Sequence, residues 1–133
     1  MNNLQTQLVQ VTHYKLVQTR EAYITAIQAL ANRTEQEGHP GVLGYQFFTS
    51  TTEETAGAII TYADAGAWLA HHQLAYQWDE LSQLQATVKL QSLALFGPLN
   101  EEVEAWLQNA GFSYTHYDQL AAGFVRRLPE VNR

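Results

Sequence analysis

The chain has 133 residues, 46% of them hydrophobic and 15% charged, with a formal charge of −6 and no cysteine. That length and balance exclude a disordered polypeptide and fit one domain over residues 1–133 with a core of its own. The missing thiols exclude a disulfide framework and a thiolate metal site, and the lack of Lys or Arg between Arg33 and Lys89 argues against nucleic acid and anionic membranes as partners.

Leu8 to Val17 alternates as a strand does: Val9, Val11, His13, Lys15 and Val17 share one face, and Leu8, Gln10, Thr12, Tyr14 and Leu16 the other. Thr19 is placed to cap a helix, with Glu21 in its first turn, and Tyr23, Ile24, Ile27, Leu30 and Ala31 recur at helical spacing to about Glu35. Gly38-His39-Pro40-Gly41 breaks that helix. Val42 to Ser50 is a second strand rich in aromatics, and the polar stretch Thr51 to Thr55 turns into a third, Ala56 to Tyr62. Asp64 then caps a helix running to about Tyr76, with a short further turn from Asp79 to Leu84. Thr87 to Phe96 reads as a fourth strand, stopped by Gly97-Pro98. Asn100 caps a last helix that ends at Asn109-Ala110-Gly111. Phe112 to Tyr117 and Gly123 to Arg127 are two short extended segments.

The order β-α-β-β-α-β followed by a helix and an extended tail predicts an α+β, ferredoxin-like fold: an antiparallel sheet with helices on one face. Leu43, Tyr45 and Phe47 in strand two, with Leu93 and Leu95 in strand four, read as an apolar set for the other face, so two sheets packed face to face in a homodimer are expected. Cover by the C-terminal helix and tail within one monomer is the alternative. No apolar run is long enough to cross a bilayer, and Met1-Asn2-Asn3-Leu4-Gln5 lacks the basic start and apolar core of a signal peptide, which fits a cytoplasmic protein.

The titratable groups of interest cluster around Tyr62 to Trp78. At about 100° per residue, His71 and His72 cannot point the same way. Trp68, His71, Ala75 and Trp78 form one stripe, and Ala65, Leu69, His72 and Tyr76 another. An inward histidine can serve as a general base or hydrogen-bond a phenol oxygen; it can equally be a structural residue bonded to a backbone carbonyl or a tyrosine. His13, Tyr45, Phe47, Tyr62 and Trp68 together would make an aromatic wall with a few polar handles, suited to a flat ligand, although each is also an ordinary core residue type. His39 and His116 read as solvated. No metal site is expected: the helix offers Ala75 and Ala67 where a chelating histidine would stand. No serine lies in a Gly-x-Ser-x-Gly elbow, and Gly38 to Gly41 opens a strand rather than a phosphate-binding helix.

Gly38-His39-Pro40-Gly41-Val42-Leu43-Gly44-Tyr45-Gln46-Phe47-Phe48, followed by Asp64, Ala67 and His71 in the next helix, resembles the antibiotic biosynthesis monooxygenase family of dimeric α/β-barrel proteins. Phe96-Gly97-Pro98-Leu99 and Gly123-Phe124-Val125-Arg126 are similar to the tail of one bacterial branch, so the resemblance runs from about Val9 to Arg127. It implies a dimeric barrel, an inward His71, and oxygenation of a small aromatic or quinol-type molecule without flavin, metal or haem. His71 or His13 would take the phenolic proton, and Tyr45, Phe47, Tyr62 and Trp68 would hold the ring. The haem-degrading members use an Asn on the first strand, and Leu8 to Val17 has none. A non-catalytic dimeric module that binds a ligand is the other reading.

Overall fold

The computed structural model describes residues 4–126. Its elements are β1 (Leu8–Leu16), α1 (Arg20–Glu37), β2 (Val42–Thr49), β3 (Thr55–Tyr62), α2 (Ala65–Ala75), α3 (Asp79–Gln85), β4 (Val88–Phe96), α4 (Glu101–Ala110) and β5 (Thr115–Tyr117). The strands form one sheet in the order β2-β3-β1-β4-β5. β1 pairs antiparallel with β3 and β4, and β3 pairs antiparallel with β2. This is the ferredoxin-like βαββαβ arrangement. β5 joins the edge parallel to β4, so the sheet is mixed rather than purely antiparallel. A helical crossover is the connection that parallel neighbours require, and α4 supplies it.

The helices begin where polar side chains can satisfy the first free N–H groups. Thr19 Oγ1 accepts from the Ala22 N–H at 3.0 Å, Asp64 Oδ1 from Ala67 at 2.8 Å and Asn100 Oδ1 from Val103 at 2.9 Å. α4 stops at Gly111, whose φ of 77° is the left-handed conformation of a helix C-terminus. Arg33 of α1 stacks over Trp78 at 4.7 Å and donates to Glu80 at 2.8 Å, tying α1 to the start of α3.

Strand alternation sends Leu8, Gln10, Thr12 and Leu16 of β1, Ala58, Ile60 and Tyr62 of β3, and Leu93 and Leu95 of β4 into the interior under the helices. Val103 and Leu107 of α4 join the cluster around Leu8, Tyr62 and Trp68 on this same side. Tyr45 and Phe47 also pack against that core. The set expected on the far face of the sheet therefore lies mostly on the helix side. The register between β2 and β3 shifts between Val42 and Gly44, leaving Leu43 out of the pairing and 53% exposed, and Tyr45 and Phe47 resume the inward alternation.

The far face is built from other residues. Val9 lies opposite Phe96 and Thr61, and Val11 opposite Ile59 and Ala94. Phe48, Ile59 and Phe96 are 54%, 41% and 40% exposed. The tail beyond β5 leaves Leu120, Phe124 and Val125 exposed, and residues 123–126 form no strand. Arg127, the end of that expected extended segment, lies outside the described residues. No helix among the described residues is long and apolar enough to cross a membrane.

Candidate functional site

A cavity of about 170 Å³ lies between the helix layer and the middle of the sheet. Gln10, Thr12 and Tyr14 of β1 reach it from the sheet, Tyr45 and Phe47 from β2, and Ile60 and Tyr62 from β3. Trp68, His71 and His72 of α2 and Tyr76 just after it lie above, and Leu107 and Phe112 approach from α4 and the segment after it. The strand period places Gln10, Thr12 and Tyr14 side by side on one face. The helix period brings Trp68, His71 and His72 over them.

Two buried polar atoms on cavity-lining residues have no hydrogen-bond partner among the described residues, Tyr62 OH and His71 Nδ1, while Thr12 has the neighbouring Tyr14 hydroxyl to bond with. Other polar groups nearby are satisfied, since the Trp68 Nε1–H donates to Gln10 Oε1 at 2.8 Å and fixes α2 on β1. His71 is 4% exposed and stands edge-on to Tyr45, with ring centroids 5.2 Å apart, and 6.0 Å from Tyr62. Burial holds its pKa down at about 4, with a smaller contribution from His39, so the imidazole is neutral at physiological pH. Burial raises the Tyr62 phenol well above its ordinary value, helped by the neighbouring Tyr45 and Tyr14, so it remains an O–H donor.

Of the residues singled out in the sequence, the fold brings Tyr45, Phe47, Tyr62, Trp68 and His71 to one cavity. It separates His13 from them. His13 is exposed and points to the far face, beside Phe48 and Gly57, because it is out of phase with Thr12 and Tyr14 along β1. The hydrogen bond expected of a structural inward histidine is made by His72 instead: its Nδ1–H donates to the Trp68 carbonyl at 2.8 Å. His72, expected to turn outward, is half-buried. It stacks on Trp68 at 3.7 Å and meets Trp106 of α4 edge-on at 5.3 Å. His116 also has a partner, for its Nε2–H donates to the Gly97 carbonyl at 2.7 Å and holds β5 to the end of β4. His39 is exposed, and its Nδ1 accepts from the Gly41 N–H at 2.9 Å.

Gln10, Thr12, Tyr14 and His72 were not anticipated as site residues. The signal for the first three was present as polar side chains between Leu8 and Leu16 on what became the buried face. Among the described residues no three His, Cys, Asp or Glu side chains come together to hold a metal ion.

The architecture is shared with solved structures. MupZ from Pseudomonas fluorescens aligns at a TM-score of 0.66 and 19% identity over 91% of this chain and 95% of its own. SnoaB, a cofactor-independent oxygenase from Streptomyces nogalater, aligns at 0.60 and 12% identity over 68% of this chain and 91% of its own. An inferred antibiotic biosynthesis monooxygenase from Caulobacter crescentus aligns at 0.54 and 21% identity over 68% of this chain and 87% of that one. The chain has the antibiotic biosynthesis monooxygenase-like fold. No family model and no curated protein matches its sequence. At such identities the antibiotic biosynthesis monooxygenase-like likeness concerns architecture, and a fold hosts many chemistries. The overlap with MupZ is too long to stop at β4, so α4 and part of the following segment are common to both folds.

Proposed function

We propose that the cavity binds a small quinol-type aromatic molecule, and that the protein oxygenates it without a cofactor. The observation that carries this reading is that two unpartnered buried polar atoms, Tyr62 OH and His71 Nδ1, belong to residues lining a cavity walled by aromatic rings. A buried polar atom without a partner costs roughly 1–3 kcal/mol, and a ligand bearing hydroxyl oxygens would recover that cost. The size supports one substituted ring. An apolar cavity of about 150 Å³ accommodates benzene, and this one is about 170 Å³.

In this reading Tyr45, Phe47 and Trp68 hold the ring, the Tyr62 O–H donates to one ring oxygen, and neutral His71 Nδ1 accepts from a ring hydroxyl. With a pKa near 4, His71 cannot take a proton outright from a resting phenol of pKa about 10. The proton passes to it only as the ring gives up electrons to dioxygen, which turns the hydroxyl into a much stronger acid. One oxygen atom enters the ring and the other leaves as water, so hydroquinone and dioxygen yield hydroxybenzoquinone and water. The cofactor-independent oxygenase SnoaB has the same fold and lends this chemistry support.

The low basicity of His71 also favours a second reading, a ligand-binding module that catalyses nothing. Anaerobic mixing with a panel of reduced quinols, followed by oxygen, separates the two. The oxygenase reading expects oxygen uptake above autoxidation, lowered at least about tenfold by His71→Ala and unchanged by His13→Ala. Tight quinol binding with no uptake above background supports the binding module and rejects the oxygenase.

A further inference from the structure

The proposed aromatic ligand meets one imidazole, His71, in the reading above. A second imidazole lines the same cavity, and its geometry is the more rigid. His72 donates Nδ1–H to the Trp68 carbonyl at 2.8 Å, which leaves its other ring nitrogen, Nε2, unprotonated in the neutral ring. The ring plane is fixed by stacking on Trp68 at 3.7 Å with only 19° between planes, and by the edge contact with Trp106 at 5.3 Å. Its side chain makes no other hydrogen bond among the described residues. The His71 and His72 rings are 5.5 Å apart and nearly perpendicular. Both imidazoles line one cavity, so a ring that carries two hydroxyls offers a donor to each.

Resting on the aromatic-ligand reading, we propose that His72 is a second specificity-determining residue, its tautomer-locked Nε2 accepting from a second ligand hydroxyl so that the site selects a dihydroxylated ring over a monohydroxylated one. The arrangement is prepared before the ligand arrives, because the Trp68 carbonyl and two indoles already hold the imidazole in place. Burial also keeps His72 far below the usual histidine range, at about 3, so Nε2 remains an acceptor at every physiological pH.

The test uses the full chain and defined probes: the three dihydroxybenzene isomers, phenol and 1,4-dimethoxybenzene, with affinities from calorimetry. At least one dihydroxybenzene should bind about tenfold more tightly than phenol, the worth of one added hydrogen bond. His72→Phe keeps a ring over Trp68 and should erase that advantage while leaving phenol binding within about twofold. Because the variant also loses the Trp68 carbonyl bond, the wild type gives an independent readout: the ¹⁵N resonance of His72 Nε2 should move upfield when the dihydroxybenzene binds. Phenol and dimethoxybenzene binding as tightly as every dihydroxybenzene, or an unmoved His72 resonance in a saturated complex, overturns the role of His72 and leaves the aromatic site standing. Failure of all five probes to bind overturns both.

Discussion

At the scale of single residues, the site is made of groups that work against the stability of the protein that carries them. Tyr62 is fully buried, and its hydroxyl has no partner. Tyr62→Phe should therefore raise ligand-free stability by about 1 kcal/mol in urea denaturation while weakening quinol binding. A loss of stability would show that the hydroxyl is satisfied after all. His71 works in the same sense through pH. Its native pKa near 4 lies below the ordinary 6.5, so the unfolded chain binds the proton more readily between those values. Its contribution is complete above pH 6.5 and is lost as pH falls towards 4. His72, lowered by burial as well, adds to the same slope. Replacing His71 by Gln removes one of the two, so the stability gap between wild type and variant should shift in the variant's favour by about 2–3 kcal/mol from pH 6.5 to 4.5. Parallel pH profiles for the two proteins would contradict this. The sequence made half of the site legible: Trp68 and His71 follow from the helix period, and Tyr62 from its place at the end of a strand. The direction of His72 was not legible. The helix period sets the two rings at different headings, so one would be expected inward and the other outward, yet both line one cavity, because the packing of α4 through Trp106 puts protein where water was expected.

At the scale of elements, the helix starts were written locally, since a capping side chain acts within four residues and needs no tertiary information. Asp64 therefore gives a clean prediction. Asp64→Ala should cost about 1 kcal/mol, measured by chemical denaturation, and the loss should fray α2 where Trp68 and His71 begin. A change within a few tenths would mean the cap is idle. Gly41 and Ala67 show why two fold markers far apart in sequence belong together. A Cβ built on Gly41 would stand 2.5 Å from the Ala67 Cβ and 2.9 Å from His39 Nδ1. The turn before β2 and the first turn of α2 thus approach as closely as small residues allow. Gly41→Ala should destabilise by about 1–3 kcal/mol through overpacking. Adding Ala67→Gly should recover part of that loss, and a strictly additive double mutant would disprove the contact. What the sequence did not reveal at this scale is non-local. Three residues, Thr115 to Tyr117, pair parallel to β4, and a strand so short has no period of its own to read. The register shift at Leu43, which sends Tyr45 and Phe47 inward, likewise depends on how β2 meets β3.

At the scale of the whole molecule, the sheet's far face remains to be covered. The residues first expected to drive its burial, Tyr45, Phe47, Leu93 and Leu95, are spent on the cavity and the core. α4 packs on the helix side through Val103 and Leu107, and the segment after β5 leaves its apolar side chains exposed, so neither covers this face within the described residues. Yet the face is still apolar at its centre: Val9, Val11, Ile59, Ala94 and Phe96 are mutual neighbours across β3, β1 and β4, with Phe48 towards the β2 edge. Phe96 also stacks on Tyr117 at 4.9 Å, extending the patch to the fifth strand. A contiguous patch of this kind is characteristic of an association surface. We propose a homodimer in which two copies of this face oppose each other, an isologous contact that makes Val11 and Ile59 central in both partners. A single charge at that centre enters the interface twice and meets its own copy across the two-fold axis. Ile59→Lys should therefore produce a monomer by light scattering at concentrations where the wild type is a dimer. Lys15→Glu, on the same face but near its end, should leave the dimer in place. Because Ile59 is exposed in the single chain, the substitution should cost the monomer little stability of its own, which separates lost association from lost folding. A wild type that is monomeric at all concentrations would refute the dimer outright. An Ile59→Lys protein that remains dimeric would move the interface to another surface.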